Sequence, residues 1–300
     1  MLRLGELVTI SAIVLSVIAL FIFSISSVIQ KKVSTTLGGK QSAIFLVCIG
    51  LLPIFIVYLF AAPNSFLVLF NYKGGLDLLL AMISGLFFAA GYAFYLKGLE
   101  TQQVSSSVAI GRLQNIMVIV FSIFILNESF TQLELIGGIM AFAGVYFVAT
   151  DKGLKLNKAL LPIVIAQVSW AICWMFLSFS ITQYGSSYAP MFVSRLVATA
   201  IVLVLYVPML FKGITLEKLG RKSYYLMSVF AIAAGILDGT GNSVLGYIAI
   251  LNHLAVANII LSLSPLIVMI AAYILYKEKL TKLQTAGIVL AVLGVIIVSL

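Results

Sequence analysis

The sequence NESFTQLELIGGIMAFAG at residues 127–144 resembles KEKLTKLQTAGIVLAVLG at residues 277–294, which lies 150 residues later in the chain. This offset needs no gap, and it places Glu128 on Glu278 and Thr131 on Thr281. The same offset aligns four pairs of glycines, which are Gly85 with Gly235, Gly91 with Gly241, Gly137 with Gly287, and Gly144 with Gly294. Such a series predicts that residues 1–150 and 151–300 are two copies of one unit.

The composition predicts that both copies lie in a membrane. Hydrophobic residues make up 63% of the chain and charged residues only 9%, and a soluble protein of this kind would leave large apolar patches in water. A helix needs about 20 apolar residues to cross a bilayer. Ten segments of about this length occur, at residues 7–30, 41–62, 76–97, 104–126, 132–150, 159–183, 190–211, 224–249, 254–276 and 282–300. We therefore expect an all-α integral membrane protein with ten transmembrane helices, five in each copy.

The basic residues predict how the two copies are oriented. A unit with an odd number of spans must enter the membrane upside down the second time, which gives an inverted repeat. Of the 18 lysines and arginines, 14 lie in loops on one predicted face, whereas Arg3 and Lys73 lie on the other. The basic face is expected to be cytoplasmic, which places both termini outside in a multi-pass protein of the cell membrane. The same scatter over short loops argues against a nucleic-acid partner, despite a net charge of +9.

The junction between the fourth and fifth span of each copy carries a helix-start signal. Thr131 with Glu134, and Thr281 with Gln284, have the spacing of a capping box, in which two side chains satisfy the first free N–H groups of a helix. We therefore interpret Glu128 and Glu278 as structural residues at the membrane interface.

Charged groups inside the hydrocarbon are costly and usually functional, so they are the first site candidates. Arg112 in span four and Asp238 in span eight lie deep in their spans. Arg195 lies nearer the outer end of span seven, and we interpret it as a structural residue that reaches towards the interface.

Polar and aromatic residues at helical spacing form a stripe on each of five spans, and Arg112 and Asp238 belong to two of these stripes. The predicted substrate-binding residues are Tyr92, Tyr95, Arg112, Asn115, Trp170, Trp174, Asp238, Asn242, Asn258 and Ser262. Pro265 is expected to kink span nine beside them. A central cavity between two inverted units would require such stripes. The alternatives are that the aromatic residues anchor the protein at the interface, that the amides join neighbouring helices, and that Arg112 and Asp238 form a structural ion pair.

The repeated Glu, Thr and glycine pattern at the junction resembles the drug/metabolite transporter (DMT) superfamily, in its ten-span EamA-type branch. The residues that carry the resemblance are Glu128, Thr131, Gly137 and Gly144 with their repeat mates Glu278, Thr281, Gly287 and Gly294. Arg195 also suits this family, although its repeat mate is Phe45. The resemblance implies a carrier that works by alternating access without ATP hydrolysis, and the sequence has no P-loop motif.

These observations lead to an expected function. A guanidinium and a carboxylate in one aromatic cavity would suit an amino acid, with Arg112 on its carboxylate and Asp238 on its ammonium. We expect an exporter of small polar or amphipathic metabolites, with Asp238 as the candidate for a coupling proton and with no cofactor or metal. The alternatives are a carrier of phosphorylated sugars or nucleotide-sugars, an intramembrane enzyme, and a non-transporting receptor. The protein could act as a monomer or a homodimer.

Overall fold

The computed structural model describes residues 4–61, 75–101, 112–128, 131–150, 161–210, 220–276 and 281–298. Every regular element within these ranges is an α-helix. In chain order the helices are α1 (Leu4–Leu37), α2 (Gly39–Ala61), α3 (Gly75–Thr101), α4 (Arg112–Phe124), α5 (Gln132–Thr150), α6 (Leu161–Tyr184), α7 (Tyr188–Leu210), α8 (Arg221–Ile250), α9 (Leu254–Leu261), α10 (Ser264–Tyr276) and α11 (Lys282–Val298).

Six of these helices are long and apolar enough to cross a membrane, namely α1, α2, α3, α6, α7 and α8. Shorter apolar helices occupy the other predicted positions, at Leu113–Phe124, Gln132–Gly144, Leu254–Val268 and Thr285–Val298. Large apolar side chains such as Phe60 and Val204 point outward, at 83% and 75% exposure, as lipid-facing residues do. The protein is therefore a membrane-embedded multi-pass protein, whereas the count of ten spans stays a prediction.

Span nine is interrupted near its middle, as the sequence predicted from Pro265. Helix α9 ends at Leu261 and α10 begins at Ser264, with Pro265 in its first turn. Proline has no N–H to donate to the preceding turn, and its ring clashes with the backbone there. The Ser262 hydroxyl donates to the carbonyl of Ile259 at 2.5 Å and so satisfies one of the carbonyls at the break.

Helices α5 and α11 pack antiparallel at very short distance. A Cβ atom built on Gly137 would lie 2.5 Å from the Gly294 carbonyl oxygen, and one built on Gly144 would lie 2.5 Å from that of Gly287. The residue numbers rise along α5 as they fall along α11. A Cβ on Gly294 would meet Ala141, and a Cβ on Gly144 would meet the repeat-equivalent Ala291. The last helices of the two halves thus run in opposite directions, as an inverted repeat requires.

Other helix pairs also occur twice, once between each set of repeat-equivalent helices. Helix α3 packs along α6, and the repeat-equivalent pair is α8 with α1; likewise α3 packs on α7 and α8 packs on α2. The α3–α6 contact is antiparallel, because the Ser180 hydroxyl donates to the Asp77 carbonyl while Gly98 lies against Ile163. Each half therefore packs mainly against the other half, and a cavity along the central helices has walls from both.

The junction between α4 and α5 stabilises two helix starts. The predicted capping box is confirmed, since the Thr131 N–H donates to Glu134 Oε2 at 2.7 Å and the Glu134 N–H donates to Thr131 Oγ1 at 3.1 Å. Glu128 accepts the N–H groups of Leu254 and Ala255, at 3.2 and 2.9 Å, and so caps α9 of the opposite half. Its repeat mate Glu278 and the side chain of Gln284 lie outside the described residues.

The cap on α9 is a buried contact. Burial raises the pKa of Glu128, while the two N–H donors favour its charged form. His253, the residue before α9, makes no side-chain cap of its own. Glu128 therefore replaces a local cap by one that joins the two halves.

Removal of this cap is expected to destabilise the fold. Glu128→Ala leaves two N–H groups at a buried helix start without their acceptor, which should cost about 1–3 kcal/mol. The matched control is Glu134→Ala, because that cap is exposed and lies within one half; we expect a loss of about 1 kcal/mol or less. Unfolding of the purified variants in detergent measures both. Equal unfolding temperatures for the two variants would contradict the role of Glu128 between the halves.

Candidate functional site

A cavity of about 120 Å³ lies between the two halves, comparable in size to cavities of ~150 Å³ that hold benzene. Helices α1, α3, α4, α6, α8, α9 and α10 contribute its wall. The lining residues are Phe23, Ser27, Gln30, Phe88, Tyr92, Tyr95, Gln114, Asn115, Gln167, Trp170, Trp174, Asp238, Asn242, Leu245, Asn258, Leu261 and Ser264. The wall thus combines aromatic rings with neutral amides and hydroxyls.

Most of the residues predicted from the sequence lie together in this wall. Eight of the ten are among the lining residues, which are Tyr92, Tyr95, Asn115, Trp170, Trp174, Asp238, Asn242 and Asn258. Arg112 begins α4, but its side chain lies outside the described residues. That any of these residues binds a substrate stays a prediction.

Ser262 is the predicted residue that lies elsewhere. In an unbroken helix it would follow Asn258 on the same face, four residues on. Because α9 ends at Leu261, the next residues turn, and the fully buried Ser262 hydroxyl donates to Ile259. Ser264 takes its place in the wall.

The aromatic part of the wall is built around Trp170. Its ring centroid lies 5.1 Å from that of Tyr92 and 5.0 Å from that of Tyr95. Gly91 provides the space, since a Cβ there would lie 2.8 Å from Cε2 of the indole. The Trp170 Nε1–H lies against Gly91 and has no acceptor among the described residues.

A buried ion pair lies at one edge of the cavity. Arg195 Nη2 lies 2.7 Å from Asp238 Oδ2, and the two side chains are 2% and 5% exposed. The same nitrogen donates to the Leu46 carbonyl at 3.1 Å, and the Tyr92 hydroxyl donates to Asp238 Oδ1. The guanidinium carbon lies 4.4 Å from the centroid of the Phe88 ring, in a cation–π contact. Four helices, α2, α3, α7 and α8, therefore meet at this pair.

Two glycines make room for the pair. A Cβ on Gly50 would lie 2.8 Å from Cζ of Arg195, and one on Gly239 would lie 2.9 Å from the carbonyl carbon of Gly50. The guanidinium consequently enters between α2 and α8, where a larger residue would exclude it.

The sequence-based interpretation of Arg195 as an interfacial residue is wrong. Arg195 is buried and forms an ion pair with Asp238. The sequence suggested Arg112 as an alternative structural partner of this aspartate. A signal was available: an arginine and an aspartate inside predicted spans need counter-charges, and Gly50 and Gly239 are small enough to admit them. Other lining residues were also missed, notably Ser27 and Gln30, which lie three residues apart on α1.

An apolar cluster adjoins one end of the cavity. Beyond Leu245 and Leu261, the side chains of Leu177, Ile181 and Ile248 are buried against one another, together with Leu254 and Ile260 from α9. The Glu128 cap lies at this same end of the bundle. The polar lining residues Gln30 and Gln167 lie towards the opposite end.

The ion pair gives a stability prediction. Arg195→Gln or Asp238→Asn leaves a buried charge without its partner, which costs roughly 3–5 kcal/mol in soluble proteins. The double variant leaves no charge and should recover most of the loss. Folded yield and unfolding temperature in detergent measure this, with Arg221→Gln, an exposed arginine at the start of α8, as control. Two single variants as stable as that control would contradict a tightly coupled pair.

Comparison with known proteins agrees with this architecture. The sequence model of the EamA-like transporter family matches residues 10–150 and again residues 157–300. One solved structure, described as "Crystal structure of protein", superposes with a TM-score of 0.69 and 15% sequence identity, covering 96% of this chain and 95% of that chain. At that identity the likeness shows the fold alone, and no curated protein sequence matches the chain. Because the family matches cover both halves, this chain belongs to the EamA-like transporter family of the DMT superfamily.

Proposed function

We propose that this protein is a secondary active transporter of small polar or amphipathic metabolites, with amino acids as the first substrate class. The observation that carries the proposal is the cavity between the two halves, which is lined by aromatic rings and amides and adjoins an apolar cluster at one end. Rings accommodate an apolar side chain, while amides and hydroxyls can bind polar groups. In alternating access, the opposite end of the cavity would close and the residues of the apolar cluster would move apart.

The cavity wall favours this substrate class over phosphorylated sugars or nucleotide-sugars. Among the lining residues that the structure describes, the charged side chain is Asp238, and a phosphate that took Arg195 from it would leave this carboxylate without its counter-ion. Arg195 lies behind the wall and is already paired. A phosphate carrier would need cationic groups that face the cavity. Membership of a transporter family likewise favours transport over an intramembrane enzyme.

The proposed function is tested by reconstituting the purified protein in liposomes and measuring the exchange of labelled amino acids across their membrane. We expect at least one amino acid to exchange and to raise the unfolding temperature of the protein, because a ligand stabilises the state that binds it. Trp170→Phe removes part of the aromatic surface that lines the cavity and should weaken binding by up to about tenfold.

The matched control for Trp170→Phe is Tyr247→Phe, which changes an outward-facing ring on α8. Failure of every amino acid to exchange, with sugar phosphates exchanging instead, would contradict the proposal. An equal effect of the two variants would remove Trp170 from the site.

The proposed direction is export across the cell membrane, in a topology with both termini outside. In a background that lacks Cys48 and Cys173, we expect an impermeant thiol reagent to label Lys73→Cys in intact cells and to leave Lys155→Cys unlabelled until the cells are opened. This result would place the apolar cluster at the outer end of the cavity. Labelling of position 155 in intact cells would reverse the orientation and leave the fold unaffected.

A further inference from the structure

The Arg195–Asp238 pair has a net charge of zero and lies on the boundary of the main cavity. Asp238 lines that cavity directly, while Arg195 lines a second, water-sized cavity of about 10 Å³. Phe88, Trp174 and Asn242 line both cavities and so form the partition between them. The two charged groups therefore face two adjoining spaces.

Arg195 retains unused hydrogen-bonding capacity. Its Nη2 donates to Asp238 and to Leu46, whereas Nε and Nη1 are buried and have no acceptor among the described residues. Buried donors on a charged group are costly to leave unmet. An acceptor that enters the small cavity would satisfy them.

We propose that the substrate is a zwitterion that opens this ion pair, with its ammonium on Asp238 and its carboxylate on Arg195. The inference rests on the proposed function and specifies the substrate class by its charges. When the zwitterion inserts, two ion pairs replace one and the net charge of the site stays at zero. Insertion requires Trp174 or Asn242 to turn aside, because these side chains separate the two cavities. An amine or an acid with a single charge would leave one charge in the site without a counter-ion, which a low-dielectric interior strongly disfavours.

In this proposal, Arg195 takes the role that the sequence suggested for Arg112, whose side chain lies outside the described residues. The Tyr92 hydroxyl, which already donates to Asp238, would hold this carboxylate in place while its arginine partner is exchanged for the ammonium. The aromatic rings around the opening would contact the remainder of the substrate.

Two series of compounds that differ only in charge test the proposal on the unmodified protein. The first is phenylalanine, phenethylamine without the carboxylate, and 3-phenylpropanoate without the ammonium. The second is leucine, isopentylamine and 4-methylpentanoate. Thermal stabilisation and exchange in liposomes are measured for each. We expect an amino acid to act at concentrations roughly a hundredfold lower than its amine or its acid.

The outcomes separate the two proposals. If an amine or an acid equals its amino acid in both assays, transport stands and the zwitterion inference is overturned. If no compound of either series has an effect while sugar phosphates exchange, amino-acid transport and this inference fall together.

The double variant Arg195→Gln with Asp238→Asn distinguishes a substrate contact from a structural role. It keeps the site neutral and is expected to remain folded, but it has no charges to offer a zwitterion. We expect the advantage of the amino acid over its amine and acid to fall below about tenfold, whereas Arg221→Gln leaves it unchanged. Unaltered discrimination in the folded double variant would overturn the proposal.

Discussion

The contact between Arg195 and Asp238 constrains much of the surrounding structure. A charge in the membrane interior must be paired and hydrogen-bonded, and here the partners come from four helices. Their meeting requires α2 and α8 to approach until Gly50 and Gly239 are in backbone contact. The small residues are therefore a consequence of the buried pair, and the pair in turn joins α2 and α3 of the first half to α7 and α8 of the second.

The halves are intertwined, and this determines where the cavity lies. Helix α3 packs along α6 and α7, while α1 and α2 pack along α8. The helices thus form two groups, α3 with α6 and α7, and α8 with α1 and α2. Each group contains helices from both halves, and the main cavity lies between the groups. At one end the gap is filled by the apolar cluster and crossed by the Glu128 cap. At the level of the ion pair the groups are joined by hydrogen bonds, which are easier to exchange for bonds to a substrate than a packed apolar surface.

Features repeated within the sequence could be predicted, whereas features that depend on one half meeting the other could not. The offset of 150 residues aligned the glycines that meet between α5 and α11, although it did not predict their contact, and the Thr131–Glu134 spacing predicted the local cap. Helical periodicity placed Asn115 and Trp174 in the wall, but it failed at Ser262 because the helix breaks before that residue.

The wrong interpretation of Arg195 has a similar cause. Its distance from the end of span seven suggested an interfacial position, but burial is decided by a glycine in span two, about 145 residues earlier in the chain. Glu128 also bonds to N–H groups more than 120 residues away, and a single sequence contains no signal for that contact. Local spacing therefore predicts caps and helix faces, while the partners of buried charges follow only from the packing of the two halves.

The chemistry of the cavity wall follows from the same constraint. A cavity within a membrane protein can afford few uncompensated charges, and its described lining consists mainly of amides, hydroxyls and rings, with Asp238 neutralised by Arg195. Amides both donate and accept hydrogen bonds, so they tolerate polar groups of many kinds. Selection by charge is then left to the ion pair, because a solute that opens it must supply both a positive and a negative group. In the proposed transport, the wall thus sets the size and polarity of the solute, whereas the ion pair sets its charge balance.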